Sequence, residues 1–438
     1  MIEYRNLRVA LLGGGTVGAN VVDLLLTHGD ELASRAGAGI ELIGVAVRDL
    51  EAERTPAIPK HLLTTDAEAL IVNADIVVEL MGGLEPARTY VLQAINSGAD
   101  VITANKALLA THGPELFEAA EQVGAQLYYE AAVGGAIPII RPLRDSLAGD
   151  RVTRILGIVN GTTNYILDAM DATGDSFDDA LAEATRLGYA EADPTADVGG
   201  YDAAQKAAIL ASLAFHTTVP LESVYREGIT EVTAEQVVAA RKAGYVIKIL
   251  AICERIAIEG GGFGVSARVH PALIPLAHPL AAVHGANNAV FIEAEAAGSL
   301  MFYGAGAGGP ETASAVLGDL VSAARRHVIG GPGVAESTHA NLPILPMSSV
   351  ITRYQIELTV VDQPGVLATI ATLFSDQGVS VEAVSQTVRD GKDDTQPAAT
   401  LVIVTHEASE LSLATTVEAL KANAVVTAVV SVLRVEGL

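Results

Sequence analysis

A short run rich in β-branched residues and leucine, Leu7–Leu12, leads into Gly13-Gly14-Gly15-Thr16-Val17-Gly18 and then the helical pattern ANVVDLLL. This G-x-G-x-x-G between a strand and a helix constrains the fold more than any other stretch, because it is the context in which a parallel βαβ unit holds a dinucleotide. Gly13 permits a tight turn, Gly15 lets the backbone approach a pyrophosphate, and Gly18 lets the helix pack closely. The phosphates would lie over the helix N-terminus, against Thr16 and Val17. A plain Gly-rich turn is the weaker reading, because strand–helix alternation continues downstream.

The second strand, Ile40–Val47, ends at Arg48-Asp49, where the adenosine ribose is read. Arg48 suits the 2′-phosphate of NADP(H), and Asp49 leaves NAD(H) open. Strands at Asp75–Met81 and Asp100–Thr103 end in the turns Gly82-Gly83 and Ala104-Asn105-Lys106, at the carboxyl edge of a parallel sheet where ligands bind. Gly82 and Lys106 thereby lie where the nicotinamide end of a cofactor would be met, the alternative for Lys106 being a surface lysine that opens a helix. A further strand, Leu127–Glu130, enters EAAVGGAIP. Its carbonyls and carboxylate suit a hard cation, but on residue grounds a simple turn is the better reading.

After residue 138 the pattern changes to an α+β domain over 139–307, with Val152–Val159 a strand, NGTTN (160–164) a polar turn, and VSARVH, AVFIEAEA and LMFYG further strands. Within it, residues 184–206 read ATRLGYAEADPTADVGGYDAAQK. Glu191, Asp193, Asp197, Asp202 and Lys206 crowd a Pro/Gly-broken loop that runs into an Ala-rich helix. The bland account is a solvated loop with an i,i+4 pair worth roughly 0.3–0.5 kcal/mol. A Gly-rich loop around Gly308 opens a helix near 308–328 whose free N–H groups suit a return to the cofactor that would complete the dinucleotide domain (1–138), the alternative being simple helix entry. Residues 329–350 read as a linker. Residues 351–438 run βαββαβ, a ferredoxin-like order, with RDGKDDTQP as a charged hairpin tip.

Composition narrows the function classes. At 438 residues, two or three domains are expected. A net charge of −25 argues against nucleic acid, and no apolar run approaches the ~18 residues of a membrane span. The single cysteine, Cys253, falls in an apolar run read as helical and as a buried core thiol, so no intrachain disulfide forms. The N-terminus enters a strand without a signal-peptide pattern, and a cytoplasmic location is expected.

The stretch from Ala184 to Lys206 resembles the signature of homoserine dehydrogenases. TANKALLA around Lys106, EAAVGGAIP, NGTTNYIL and MFYGAGAGG are similar to that family as well, and D-x-PGVL from Asp362 resembles an ACT domain. The resemblance covers nearly the whole chain, in the layout of a monofunctional enzyme. It implies an α/β protein with an N-terminal Rossmann-type parallel sheet, an α+β substrate and dimerisation domain, and a C-terminal ferredoxin-like ACT domain. It also implies interconversion of L-homoserine and L-aspartate 4-semialdehyde with NADP(H), or NAD(H), on the way to threonine and methionine. By resemblance Lys206 is the proton donor and acceptor, while Lys106 orients the substrate and polarises its oxygen. Each lysine is expected to lower the pKa of the other. Glu191 and Asp202 would take the substrate ammonium and Asp197 would position a lysine, with Thr163, Gly188 and Tyr189 also at the substrate. Gly308 would touch the cofactor, and Glu130, Val133, Gly135 and Ile137 would hold a monovalent cation, Na⁺ or K⁺. A homodimer or tetramer is implied, as is a threonine effector at the ACT domain, although Ser380 stands where amino-acid-binding versions carry Asn.

Two other readings compete. A phosphorylating semialdehyde dehydrogenase needs an activated cysteine nucleophile, for which Cys253 has no setting. A non-enzymatic NAD(P) or amino-acid sensor leaves two isolated lysines in an acidic loop without a purpose.

Overall fold

The computed structural model describes residues 5–258, 260–331, 336, 338–389 and 398–437. Six strands, β1 (Leu7–Leu12), β2 (Ile40–Ala46), β3 (Leu63–Thr64), β4 (Ile76–Glu79), β5 (Asp100–Thr103) and β6 (Leu127–Tyr128), form one sheet in the order β3-β2-β1-β4-β5-β6. Every pair in it is parallel. Strands buried on both faces read as continuous apolar runs. In β1, Val9 and Leu11 join a core with Val21, Val22, Val316 and Leu320, while Ala10 and Leu12 face the opposite layer with Val77 and Val91. Helix Gly309–Ile329 thus lies beside helix Thr16–Thr27 on one face of the dinucleotide sheet.

The strand expected at Leu127–Glu130 stops at Tyr128, because Glu130 opens a single 3₁₀ turn, Glu130–Ala132. Its carboxylate turns inward and accepts from the backbone N–H groups of Ile139 (2.5 Å), Ile140 (2.8 Å) and Arg141 (3.0 Å).

The second sheet contains β7 (Val152–Ile158), β8 (Tyr225–Arg226), β9 (Tyr245–Ala257), β10 (Phe263–Pro275), β11 (Asn287–Ala294), β12 (Gly298–Ala305), β13 (Ile351–Val361), β14 (Val381–Arg389), β15 (Ala398–Thr405), β16 (Ala408–Ser409) and β17 (Val426–Val435). Its main path is β12-β11-β7-β9-β10-β17-β13-β15-β14. The run around Cys253, read as helical from sequence, is strand β9. Its Ile- and Val-rich segment pairs antiparallel with β10 over its whole length and with β7 on the other side, so burial on both faces removes the alternation that marks a strand.

The ferredoxin-like module does not hang from a free tether. Its last strand pairs in parallel with β10, Ala272 opposite Arg434 and Leu273 opposite Val435, so its sheet continues the preceding domain's. Part of the 329–350 segment is also docked: the Val265 N–H donates to Pro343 O (2.9 Å) and Leu345 N–H to Val265 O (2.8 Å). The charged tip expected at RDGKDDTQP lies, beyond Arg389, outside the described residues.

Candidate active site

The carboxyl edge of the parallel sheet carries three loops. After β1, Gly13 has φ 104° and a Cβ there would lie 2.6 Å from Leu80 O, while a Cβ on Gly18 would lie 2.1 Å from Gly13 O. These contacts weld the turn to its neighbour and to its own helix. Gly15 is the opposite case, with nothing within 4 Å of its Cβ position, and it begins a helix with no side-chain cap. Free N–H groups on an open face are what a pyrophosphate needs, so these residues fit a dinucleotide. Gly309 packs on the same helix start: a Cβ on it would meet Asn20 Nδ2 at 2.5 Å and Thr16 Cγ2 at 3.1 Å. Gly308, the N-cap of its own helix with no side-chain cap, brings a second uncapped N-terminus to the same place. Arg48 is exposed at the end of β2 and makes no hydrogen bond or ion pair among the described residues. Arg54, which sequence reasoning missed, lies across Gly14, its Nε 3.1 Å from the Cβ position there, and donates to Asp49 O (2.5 Å).

A second missed set braces the turns at Gly82-Gly83 and Lys106. Glu79, fully buried, accepts from the N–H groups of Met81 (2.7 Å) and Gly82 (3.2 Å) and from Thr103 Oγ1 (2.6 Å). Asn105 caps helix Lys106–Val123, accepting from Leu108 N–H (3.1 Å), and donates to Gly83 O (2.7 Å). An Asp could cap the helix but not make the second bond. Two loops and the base of Lys106 become one unit.

Lys106 reaches Asp202 Oδ1 at 2.8 Å with 41% of its side chain exposed. Lys206 lies one turn along the Ala-rich helix Tyr201–Phe215 and donates to Asp202 Oδ2 (2.7 Å) and to Val159 O (2.6 Å) at the end of β7. One buried carboxylate therefore bridges both lysines. Asn160 completes the cluster by capping the helix from Gly161, where it accepts from Thr163 N–H (2.9 Å), while its Nδ2 donates to Asp197 Oδ1 (2.7 Å) and Asp202 Oδ2 (2.9 Å). The signal for both missed asparagines was an Asn immediately before a helix in TANK and NGTTN.

Burial works against ionised Asp202, but Lys206 and Lys106 outweigh it and hold the carboxyl well below the usual carboxylate range. Burial also works against the Lys106 ammonium, yet Asp202, with Asp197 and Glu191 beyond it, raises its pKa above the ordinary lysine value. The expected lowering of each lysine by the other thus fails at Lys106, where a shared carboxylate overrides the second cation. Burial lifts Asp197 above the ordinary range, opposed by the Asn160 hydrogen bond and reinforced by Asp202.

The remaining sequence-predicted residues fall at different distances from this centre. Asp197 acts on the lysines only through its charge and through Asn160. Thr163 is fully buried, and its hydroxyl donates to Asn160 Oδ1 at 2.9 Å, which supports Asn160. Glu191 is exposed at the rim. Gly188 takes φ 79°, and Tyr189 packs its ring 5.0 Å from that of Tyr165 while its carbonyl accepts from Thr162 Oγ1.

In the EAAVGGAIP turn the Glu130 carboxylate is spent on backbone N–H groups and on Arg141 Nε (2.8 Å), leaving only carbonyls for a cation. Among the described residues no hydrogen bond is made to the carbonyls of Val133 or Gly135, and oxygen-only donors of this kind suit a monovalent ion. The turn abuts the loop before Gly308: Ala136 N–H donates to Ala305 O (3.1 Å), and a Cβ on Gly135 would lie 2.4 Å from Gly306 O. In the C-terminal module a cleft of about 160 Å³ is lined by Asp362, Pro364, Gly365, Leu367 and Gln386. Cys253 is fully buried, its thiol pushed up to about 12 by burial, which removes it as a nucleophile. No helix among the described residues is long and apolar enough to cross a membrane.

Family models place this geometry among known proteins. Residues 138–321 match homoserine dehydrogenase, 13–130 the homoserine dehydrogenase NAD-binding domain, and 354–425 the ACT domain. The chain is 56% identical to the homoserine dehydrogenase of Corynebacterium glutamicum, covering 98% of this chain and 95% of that one. It is 41% identical to the Bacillus subtilis enzyme, covering 98% of each. The crystal structure of a homoserine dehydrogenase from Thiobacillus denitrificans superposes with a TM-score of 0.91 at 41% identity over 99% of both chains. A hyperthermophilic archaeal homoserine dehydrogenase in complex with NADPH gives 0.61 at 27% identity, over 75% of this chain and 99% of that one.

Proposed function

The chain belongs to the homoserine dehydrogenase family, an oxidoreductase group with a nicotinamide-binding domain and here an ACT domain, and from that premise we propose how its residues divide the reaction. The observation that carries the proposal is the Asp202 carboxylate lying 2.8 and 2.7 Å from Lys106 and Lys206.

Protonated, Lys206 has three N–H donors. Val159 O and Asp202 take two, and the third is left for the oxygen on the substrate's reacting carbon. In the reduction of aspartate semialdehyde this ammonium gives its proton to the carbonyl oxygen as the carbon gains a hydride; in the oxidation of homoserine the neutral amine takes the hydroxyl proton as the hydride leaves. A bound nicotinamide supplies or accepts that hydride. Lys106 has two N–H donors beyond its bond to Asp202, and it stabilises the negative charge that develops on the same oxygen. Asp202, committed to both lysines, orients them and is reassigned from the ammonium. Glu191 at the rim takes that role, and Gly188 and Tyr189 shape the pocket's edge.

The proposal extends to the surroundings. NADP(H) is preferred over NAD(H), with Arg48 meeting the 2′-phosphate. The carbonyls of Glu130, Val133, Gly135 and Ile137 hold Na⁺ or K⁺ and brace the Gly308 loop. The enzyme divides into a dinucleotide domain of 1–138 with 308–328, a substrate domain of 139–307, and an ACT domain of 351–438 that binds threonine. It works in the cytoplasm as a dimer or tetramer. The test is NADPH and NADH consumption with aspartate semialdehyde, with and without millimolar threonine. Arg48→Ala is expected to raise the NADPH KM about tenfold, the loss of one or two charge-assisted hydrogen bonds, and to leave the NADH KM alone. An unchanged cofactor preference would mean the 2′-phosphate is read elsewhere.

A further inference from the structure

Helix Tyr201–Phe215 starts without a side-chain cap, from Gly200 at φ 77°, with Asp202 in its first turn. Its start is held from outside by residues 225–229. The Arg226 guanidinium donates to Gly199 O and lies 3.5 Å from the centre of the Tyr201 ring, immediately before Asp202. Ile229 N–H donates to Val198 O (2.9 Å), and a Cβ on Gly228 would lie 2.4 Å from the same oxygen. On its other side this segment is fixed to β10 by the Glu227 N–H to Val269 O bond (2.7 Å).

Glu227 then points away from the site and into the C-terminal module. Arg434 of β17 donates to Glu227 Oε2 (2.9 Å) and, from Nη2 and Nε, to Glu410 Oε1 (2.6 and 3.1 Å) at the start of helix Glu410–Lys421. Tyr354 of β13 donates to the same Glu410 oxygen (2.7 Å). A continuous set of charge-assisted bonds therefore joins the core of the ferredoxin-like module, where Arg434 and Glu410 are buried, to the half-exposed Glu227 next to Arg226.

We propose that Arg226 is a positioning residue for the reacting centre, and that the Glu227–Arg434 ion pair makes its grip on the 199–202 segment depend on the docked C-terminal module. Arg226 fixes where helix Tyr201–Phe215 begins; the helix start fixes Asp202; Asp202 fixes both lysines. A shift at β17 or Glu410 would reach the lysines by that route. The inference rests on the reading of Asp202 and Lys206 as the reacting centre.

The test uses the full chain with kcat/KM for homoserine, the Kd for NADPH and the Tm. Glu227→Gln keeps the shape and removes the charge. It is expected to lower kcat/KM about tenfold with the NADPH Kd within about twofold, and Arg226→Ala to lower it further. Because Glu227 acts through Arg226, adding Glu227→Gln to Arg226→Ala should cost nothing more. Arg226→Lys, which keeps charge but loses the planar stack on Tyr201, should fall between parent and Arg226→Ala, and it carries the test if the alanine variant does not fold. Parent-like kcat/KM in the Arg226 variants, or multiplying losses in the double variant, overturns the inference. Lys206→Ala run alongside separates the two claims. An active Lys206→Ala enzyme refutes the site itself, whereas an inactive one with parent-like Arg226 variants refutes only the positioning role.

Discussion

Lys206→Ala is expected to lower kcat about 10²–10⁴-fold in both directions, the usual worth of a positioned acid–base group, with the Kd for NADPH held within about twofold. Among the described residues the dinucleotide loop around Gly13–Gly18 and the Gly308 loop make no hydrogen bond to Lys206, whose partners there are Val159 O and Asp202. Loss of the amine removes the proton route and leaves the cofactor contacts intact. Stopped-flow turnover with fluorescence titration of NADPH separates the two quantities, and a parallel loss of both would show that Lys206 supports the fold of the site.

Asp202→Asn is the second large effect. The variant keeps the shape but withdraws the charge that both lysines share and that the Asn160 amide helps orient. Breaking a buried pair by removing one partner leaves uncompensated charge and costs on the order of 3–5 kcal/mol; expressed in the transition state, that is a loss of about 10²–10⁴ in kcat. If Asp202 instead met the substrate ammonium, the change would fall mainly on the homoserine KM. Glu191→Gln is expected to show that second pattern. A kcat against KM comparison of the two variants therefore decides which carboxylate meets the amine.

Much of this was legible before the structure. The glycine motif led to a parallel sheet with an open helix N-terminus, and the length and mixed composition of the 184–206 stretch pointed to the family. Other features were not legible, for identifiable reasons. Strand β9 looked helical because both its faces are buried and periodicity carries no sign there. That Asp202 faces two lysines depends on Lys106, some hundred positions earlier in the chain, meeting it across two sheets. Asn160, Asn105 and Glu79 work through paired hydrogen bonds to backbone and side chains distant in sequence, which no local pattern announces. The junction of β10 with β17 is likewise a long-range pairing, hidden behind a segment whose composition reads as a linker.

The central claim is that Asp202 acts by holding Lys206, and a double-mutant cycle on kcat tests it most directly. The Lys206→Ala/Asp202→Asn variant is predicted to be slower than Lys206→Ala by much less than the factor Asp202→Asn costs alone, since the carboxylate has lost one of the two groups it orients and keeps only Lys106. Losses that multiply, making the double variant slower than Lys206→Ala by the full factor that Asp202→Asn costs alone, would show that the two residues act independently and would contradict this account.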